Sequence, residues 1–129
     1  MTTPNKPPAL HNAPHRIWIG YWLLAVAALH TIYAGFRFGP VFVGIAQRGV
    51  INTVGRDPLT GAAVWFALFG AGMALIAMAI IPLERGQQHA ALRPLGLGLL
   101  LLCALGIALM PVSGFWLGLP AAIALVRRR

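Results

Sequence analysis

Three long apolar stretches, ended by prolines, glycines and arginines, decide what this chain can fold into. Residues 17–36, 61–81 and 94–126 hold nearly all of its hydrophobic mass, and charge is confined to the gaps between them. Water cannot dissolve such a chain as a monomer. A bilayer can, because its hydrocarbon core takes apolar helices of about 20 residues whose backbone groups are satisfied internally. The expectation is an integral membrane protein, all-α, folded as a membrane four-helix bundle.

Composition agrees with this reading. Hydrophobic residues make up 59% and charged residues 9% of the 129 positions, against about 25% charged in ordinary soluble domains. That length gives room for one domain. The formal charge of +8 could suggest a nucleic-acid partner, but no basic face is interleaved with aromatics. The ten Lys/Arg residues fall at helix ends, where membrane topology places them. Nucleic acid is therefore not an expected partner. Cys103 is the single cysteine and lies deep in the third apolar stretch, so it reads as a small hydrophobe and says nothing about redox compartment.

The pass along the chain gives these boundaries. Residues 1–16 carry Pro4, Pro7, Pro8 and Pro14 and read as a disordered cytoplasmic tail. The first span is expected at 17–36. The small-residue run at Ala25-Val26-Ala27-Ala28 resembles a cleavage site, but the apolar pattern continues past it, so an uncleaved span is expected. In the connection 37–60, Val43, Ala46, Val50 and Val54 recur at helical spacing, with Gln47, Arg48 and Asn52 on the other side. This predicts a short interfacial amphipathic helix in the first loop. The second span is 61–81, closed by Pro82, and 83–93 is a polar loop. The 33 residues of 94–126 exceed one span, and Met110-Pro111-Val112-Ser113-Gly114 breaks them. Spans at 94–110 and 113–126 follow, with 127–129 as a basic cytoplasmic end.

Charge sets the orientation. With four spans, Lys6, Arg16, Arg85, Arg93, Arg127, Arg128 and Arg129 fall on one side and Arg37, Arg48 and Arg56 on the other. The positive-inside rule then places both termini on the cytoplasmic side. The terminal arginines read as a stop against translocation and a contact for anionic lipid.

His30 is the polar residue of greatest interest, because ionisable groups within spans are uncommon. Tyr33 and Arg37 follow it on the same helical stripe. Topology carries Asn52, Arg56 and Asp57 of the first loop, Trp65 of the second span, and Ser113 and Trp116 of the hairpin to the same outer level. A shallow pocket roofed by the first loop is the one candidate ligand site. Each member also has a structural explanation: His30 as a hydrogen bond to a neighbouring helix, the aromatics as an interfacial belt, Arg56-Asp57-Pro58 as a salt-bridged turn. One histidine within the spans lacks the partners metal ligation needs, and His11 and His15 are separated by Pro14. No catalytic set, metal site or cofactor can be assigned. Gly35 with Gly39, and Gly114 with Gly118, have the spacing of close helix approach.

His30-Thr31 with Gly35, Trp65-Phe66, and Met110-Pro111-x-Ser113-Gly114-Phe115-Trp116-Leu117 resemble a family of small bacterial four-helix membrane proteins catalogued only as a domain of unknown function. The likeness covers roughly residues 17–126, and its last motif is the most specific. It implies four helices and a bacterial inner membrane, and adds no mechanism.

Two functions compete at this point. The first is a non-enzymatic membrane protein, an accessory subunit or small-ligand binder, with the lipid bilayer and either a membrane protein complex or a homo-oligomer as partners. The alternative is a small quinone-associated redox protein in which His30 donates a hydrogen bond to a quinone carbonyl.

Overall fold

The computed structural model describes residues 16–128, and every regular element within them is helical. The expected tail lies outside the described residues except for Arg16, as does Arg129. The helices are α1 (Ile19–Arg48), α2 (Pro58–Arg85), α3 (His89–Leu109) and α4 (Leu119–Arg127), with a short 3-10 helix, Gly114–Gly118, leading into α4. α1 packs most extensively on α2, and α3 on α4; the two hairpins meet along narrower seams between α1 and α4 and between α2 and α3.

Three of the helices, α1, α2 and α3, are long and apolar enough to cross a membrane. The fourth segment, Gly114–Arg127, is apolar but shorter. Five 3-10 and nine α residues rise only about 23 Å. Its fold against α3 returns the chain to its starting end: Arg128 Nη2 donates to the backbone oxygen of Arg16 at 2.7 Å. Leu101 and Leu75 stand 72% and 64% exposed in the middle of their helices, as lipid-facing side chains do.

The amphipathic stretch after residue 36 is helical as far as Arg48, but it is the continuation of α1 and not a separate helix. Pro40 sits inside it. A proline removes one backbone donor, and the helix bonds on either side carry the chain past it. Only the backbone beyond Arg48 turns, with Gly49 and Gly55 at positive φ (93° and 53°) and Asn52 at 54°.

The buried core gathers at the end where the described chain begins and finishes. Ile19 and Leu23 of α1, Ala77 and Ile80 of α2, Leu92 of α3, and Ala121 and Leu125 of α4 form one cluster. Small residues set the spacing there. A Cβ at Gly96 would fall 2.6 Å from Leu125 Cβ and 2.9 Å from Val126 N, so α3 and α4 touch backbone to backbone. The glycine pairs read from spacing behave differently. A Cβ at Gly35, Gly39 or Gly114 would meet nothing within 4 Å, whereas one at Gly118 would meet Cys103 Sγ at 2.7 Å. Gly114 and Gly118 do not share a face because a 3-10 helix has three residues per turn.

Candidate functional site

His30 is held by α2. Its Nε2 lies 2.9 Å from the Phe66 backbone oxygen, which can only accept, so Nε2 carries the proton. The imidazole stacks on the Phe66 ring at 4.0 Å between centroids and 16° between planes. Phe69 meets it at a tilt, 5.5 Å away. Gly70 makes this arrangement fit: a Cβ there would stand 2.9 Å from His30 Cδ2 and 3.0 Å from Thr31 Oγ1. Thr31 in turn donates its hydroxyl to the Ala27 backbone oxygen at 2.9 Å.

From this pair an aromatic cluster spreads across three elements. Tyr33 and Phe38 of α1 approach Phe66 at 6.1 and 5.5 Å. Phe69 meets Phe115 of the 3-10 helix edge-on at 6.1 Å. Phe115 lies on Gly106 of α3, which leaves no room for a Cβ. The α3–α4 hairpin therefore reaches the level of His30 through Phe115.

The other candidate residues are distributed less tightly. Trp116 donates its indole N–H to Pro111 O at 2.9 Å within its own hairpin. Ser113 Oγ is buried with no hydrogen-bond partner among the described residues. Arg37 is exposed and lies over the neighbouring Phe38 ring at 5.3 Å. Trp65 is 74% exposed. Asn52, Arg56 and Asp57 sit beyond the far end of α2. From Pro58 to Phe66, the residue His30 bonds and stacks on, the helix rises about 12 Å. Asp57 is the N-cap of α2, accepting from Leu59 N at 3.3 Å and Thr60 N at 3.0 Å, and from the Thr60 hydroxyl. The Thr60 hydroxyl and amide hold its carboxyl below the usual carboxylate range, with the Leu59 amide and Arg48 adding to the effect.

A second centre lies at the opposite end of α2, and sequence reasoning assigned it to a polar loop. Glu84 is 1% exposed. Its Oε2 accepts from Gly20 N at 2.7 Å, while Oε1 takes longer bonds from Trp18 N and Ile19 N at 3.4 and 3.3 Å. α1 has no side-chain cap of its own, since Trp18 occupies the N-cap position. Glu84 supplies one across the helix pair, placing a negative charge where the first amides of α1 are unsatisfied. Arg128 pairs with it at 2.7 Å. Beside this centre, Arg85 Nη2 donates to Tyr21 Oη at 2.8 Å. The available signal is arithmetic: two carboxylates stand against ten Lys/Arg, and one of them closely follows the apolar stretch 61–81.

Between α1 and α2, a groove of about 440 Å3 opens sideways from the bundle. Its walls are Leu24, Ala27, Ala28, Thr31 and Ile32 on one helix and Ala67, Gly70, Ala71 and Ala74 on the other. Among the described residues, no three His, Cys, Asp or Glu side chains gather in a way that could hold a metal ion.

Residues 14–129 match a family of unknown function, DUF6463. The chain belongs to the DUF6463 family. The match takes in all four helices of this DUF6463 protein, both centres described above and the groove. No curated protein and no solved structure matches the chain.

Proposed function

We propose that this DUF6463 protein is a non-enzymatic accessory subunit of a bacterial inner-membrane complex, with both termini in the cytoplasm. Its α1–α2 groove receives a transmembrane helix of another protein. The groove carries this reading. Ala27 with Thr31, Ala67 with Ala71, and Gly70 with Ala74 put small residues four apart on both walls, the pattern that lets helix backbones approach closely in lipid. Thr31 is the one polar side chain in the lining, and its hydroxyl is already bonded to Ala27 O. A ligand needing a hydrogen-bond donor finds none on offer there, since the Thr31 oxygen can only accept, whereas an apolar helix needs only shape.

The quinone alternative asks His30 for the proton on Nε2, and that proton is engaged by Phe66 O. A quinone would have to displace a helix carbonyl from a stacked ring. The accessory reading makes no such demand.

Native mass spectrometry of protein gently extracted from its own membrane, parent beside Ala71→Leu, tests the proposal. Ala71 is exposed in the groove, so the larger side chain fills the groove without disturbing the chain's own core. A membrane protein retained by the parent and lost from the variant, at unchanged melting temperature, is expected. A bare parent chain, a second copy of this chain, or a retained quinone would each overturn it.

A further inference from the structure

At the end of the bundle where the described chain begins and finishes, a cavity of about 500 Å3 is lined by Arg93, Val126, Arg127 and Arg128. Three arginines thus line one space. One of them is compensated: Arg128 Nη2 pairs with Glu84 Oε1 at 2.7 Å. Glu84 is already shared with three α1 amides and is 1% exposed. The remaining carboxylate among the described residues, Asp57, is at the opposite end of α2. Arg93 and Arg127 therefore have no acidic partner among the described residues.

Arg128 also shows an unmet demand. Its Nη1 is buried with no hydrogen-bond partner among the described residues, although Nη2 makes two contacts. A buried donor without an acceptor is costly, and because this nitrogen has no exposed surface the contacts to an occupant fall to the exposed Arg93 and Arg127. Like charges crowded about one cavity repel, and an anion reverses the sign of that interaction. The planar guanidinium fork matches phosphate oxygens better than any other side chain does.

We propose that Arg93, Arg127 and Arg128 form a binding site for a phosphate-bearing anion, either a lipid headgroup phosphate or a free phosphate. Arg93 brings its charge from α3 and the other two from the end of α4, so an occupant ties the two helices together where the chain leaves the bundle.

The test uses full-length protein in a neutral detergent, parent beside Arg93→Gln/Arg127→Gln. Arg93 and Arg127 are exposed, and Arg128 is left intact to hold Glu84. Matched melting of the two proteins without probe establishes that the variant folds. The probes are anionic phosphatidylglycerol, zwitterionic phosphatidylcholine and inorganic pyrophosphate. The parent is expected to prefer phosphatidylglycerol or pyrophosphate, and the variant to bind the preferred probe about ten-fold more weakly, as befits two lost charge-assisted contacts. Arg93→Lys/Arg127→Lys is expected to recover part of that loss. Preference for phosphatidylglycerol alone assigns the site to a lipid headgroup, and preference for pyrophosphate alone to a soluble anion. Equal binding by parent and double Gln variant, or equal retention of phosphatidylcholine and phosphatidylglycerol with no response to pyrophosphate, overturns the proposal.

Discussion

Glu84 Oε1 and Arg128 Nη2 lie 2.7 Å apart, and the glutamate side chain is wholly inaccessible while the arginine is 13% exposed. The bond joins the last turn of α2 to the residue that follows α4, and through the Glu84 carboxylate it reaches the first amides of α1. One ion pair thus fastens three helices at the end of the bundle where the core is gathered.

Breaking that pair from one side leaves a buried charge uncompensated. Arg128→Gln is expected to cost about 3–5 kcal/mol. Glu84→Gln strands the arginine and weakens the α1 cap together. The double variant should lose less than the sum of the two, because neither charge is then left alone. Unfolding in mixed detergent, run as a double-mutant cycle, measures the coupling; strictly additive losses would show that the pair is not a unit.

Gly70 is where α2 gives way to His30. Gly70→Ala pushes a methyl group to 2.9 Å from the imidazole, and overpacking of that kind costs about 1–3 kcal/mol. His30→Ala is expected to lose about 1–3 kcal/mol through the missing hydrogen bond and ring stack. The same unfolding assay reads both. A stability-neutral His30→Ala would argue that the imidazole is kept for a purpose other than packing.

Asp57 makes the start of α2 sensitive to acid. Its carboxyl is held low in the folded state, first by the Thr60 hydroxyl. The stabilisation is therefore full above the unfolded pKa and fades as pH falls through the lower, folded value. Amide exchange at Leu59 and Thr60 should quicken as pH drops below about 4, beyond the intrinsic trend. Asp57→Asn keeps a capping oxygen and should abolish that added acid response. Persistence of the response in the variant would place its origin elsewhere.

Gly106 and Phe115 are a second close fit. Gly106→Ala has nowhere to put its methyl group except into the ring, so Phe115 must withdraw from Phe69. A loss of about 1–3 kcal/mol is expected, with a change in near-ultraviolet circular dichroism from the displaced aromatic pair. An unchanged spectrum would mean that the hairpin is free to shift away.

Much of this fold can be read before any coordinates. The apolar runs mark the three long helices, since nothing else hides so many consecutive apolar residues. The break at Pro111 and Gly114 is equally plain, because proline withdraws a donor and glycine relaxes the backbone. Helix ends are harder. Arg37, Gly39 and Pro40 interrupt the apolar pattern without stopping α1, because a charge or one missing hydrogen bond does not end a helix whose neighbours remain bonded. His30 stands out as an ionisable group in an apolar span, yet its partner is a backbone oxygen, which no side-chain pattern reveals. Glu84 escaped for a related reason. Its partners are three backbone amides and an arginine 44 positions away, and only the folded chain brings them together.

The accessory role rests on the groove, and site-specific photo-crosslinking in the native membrane tests it most directly. A photoreactive residue at Ala71 or Ala28, in the groove, is compared with one at Leu101, exposed on α3. A discrete crosslink to a different membrane protein from both groove positions, absent from Leu101 and abolished when Ala67→Leu fills the groove, is the predicted result. Crosslinking to lipid alone from every position would contradict it.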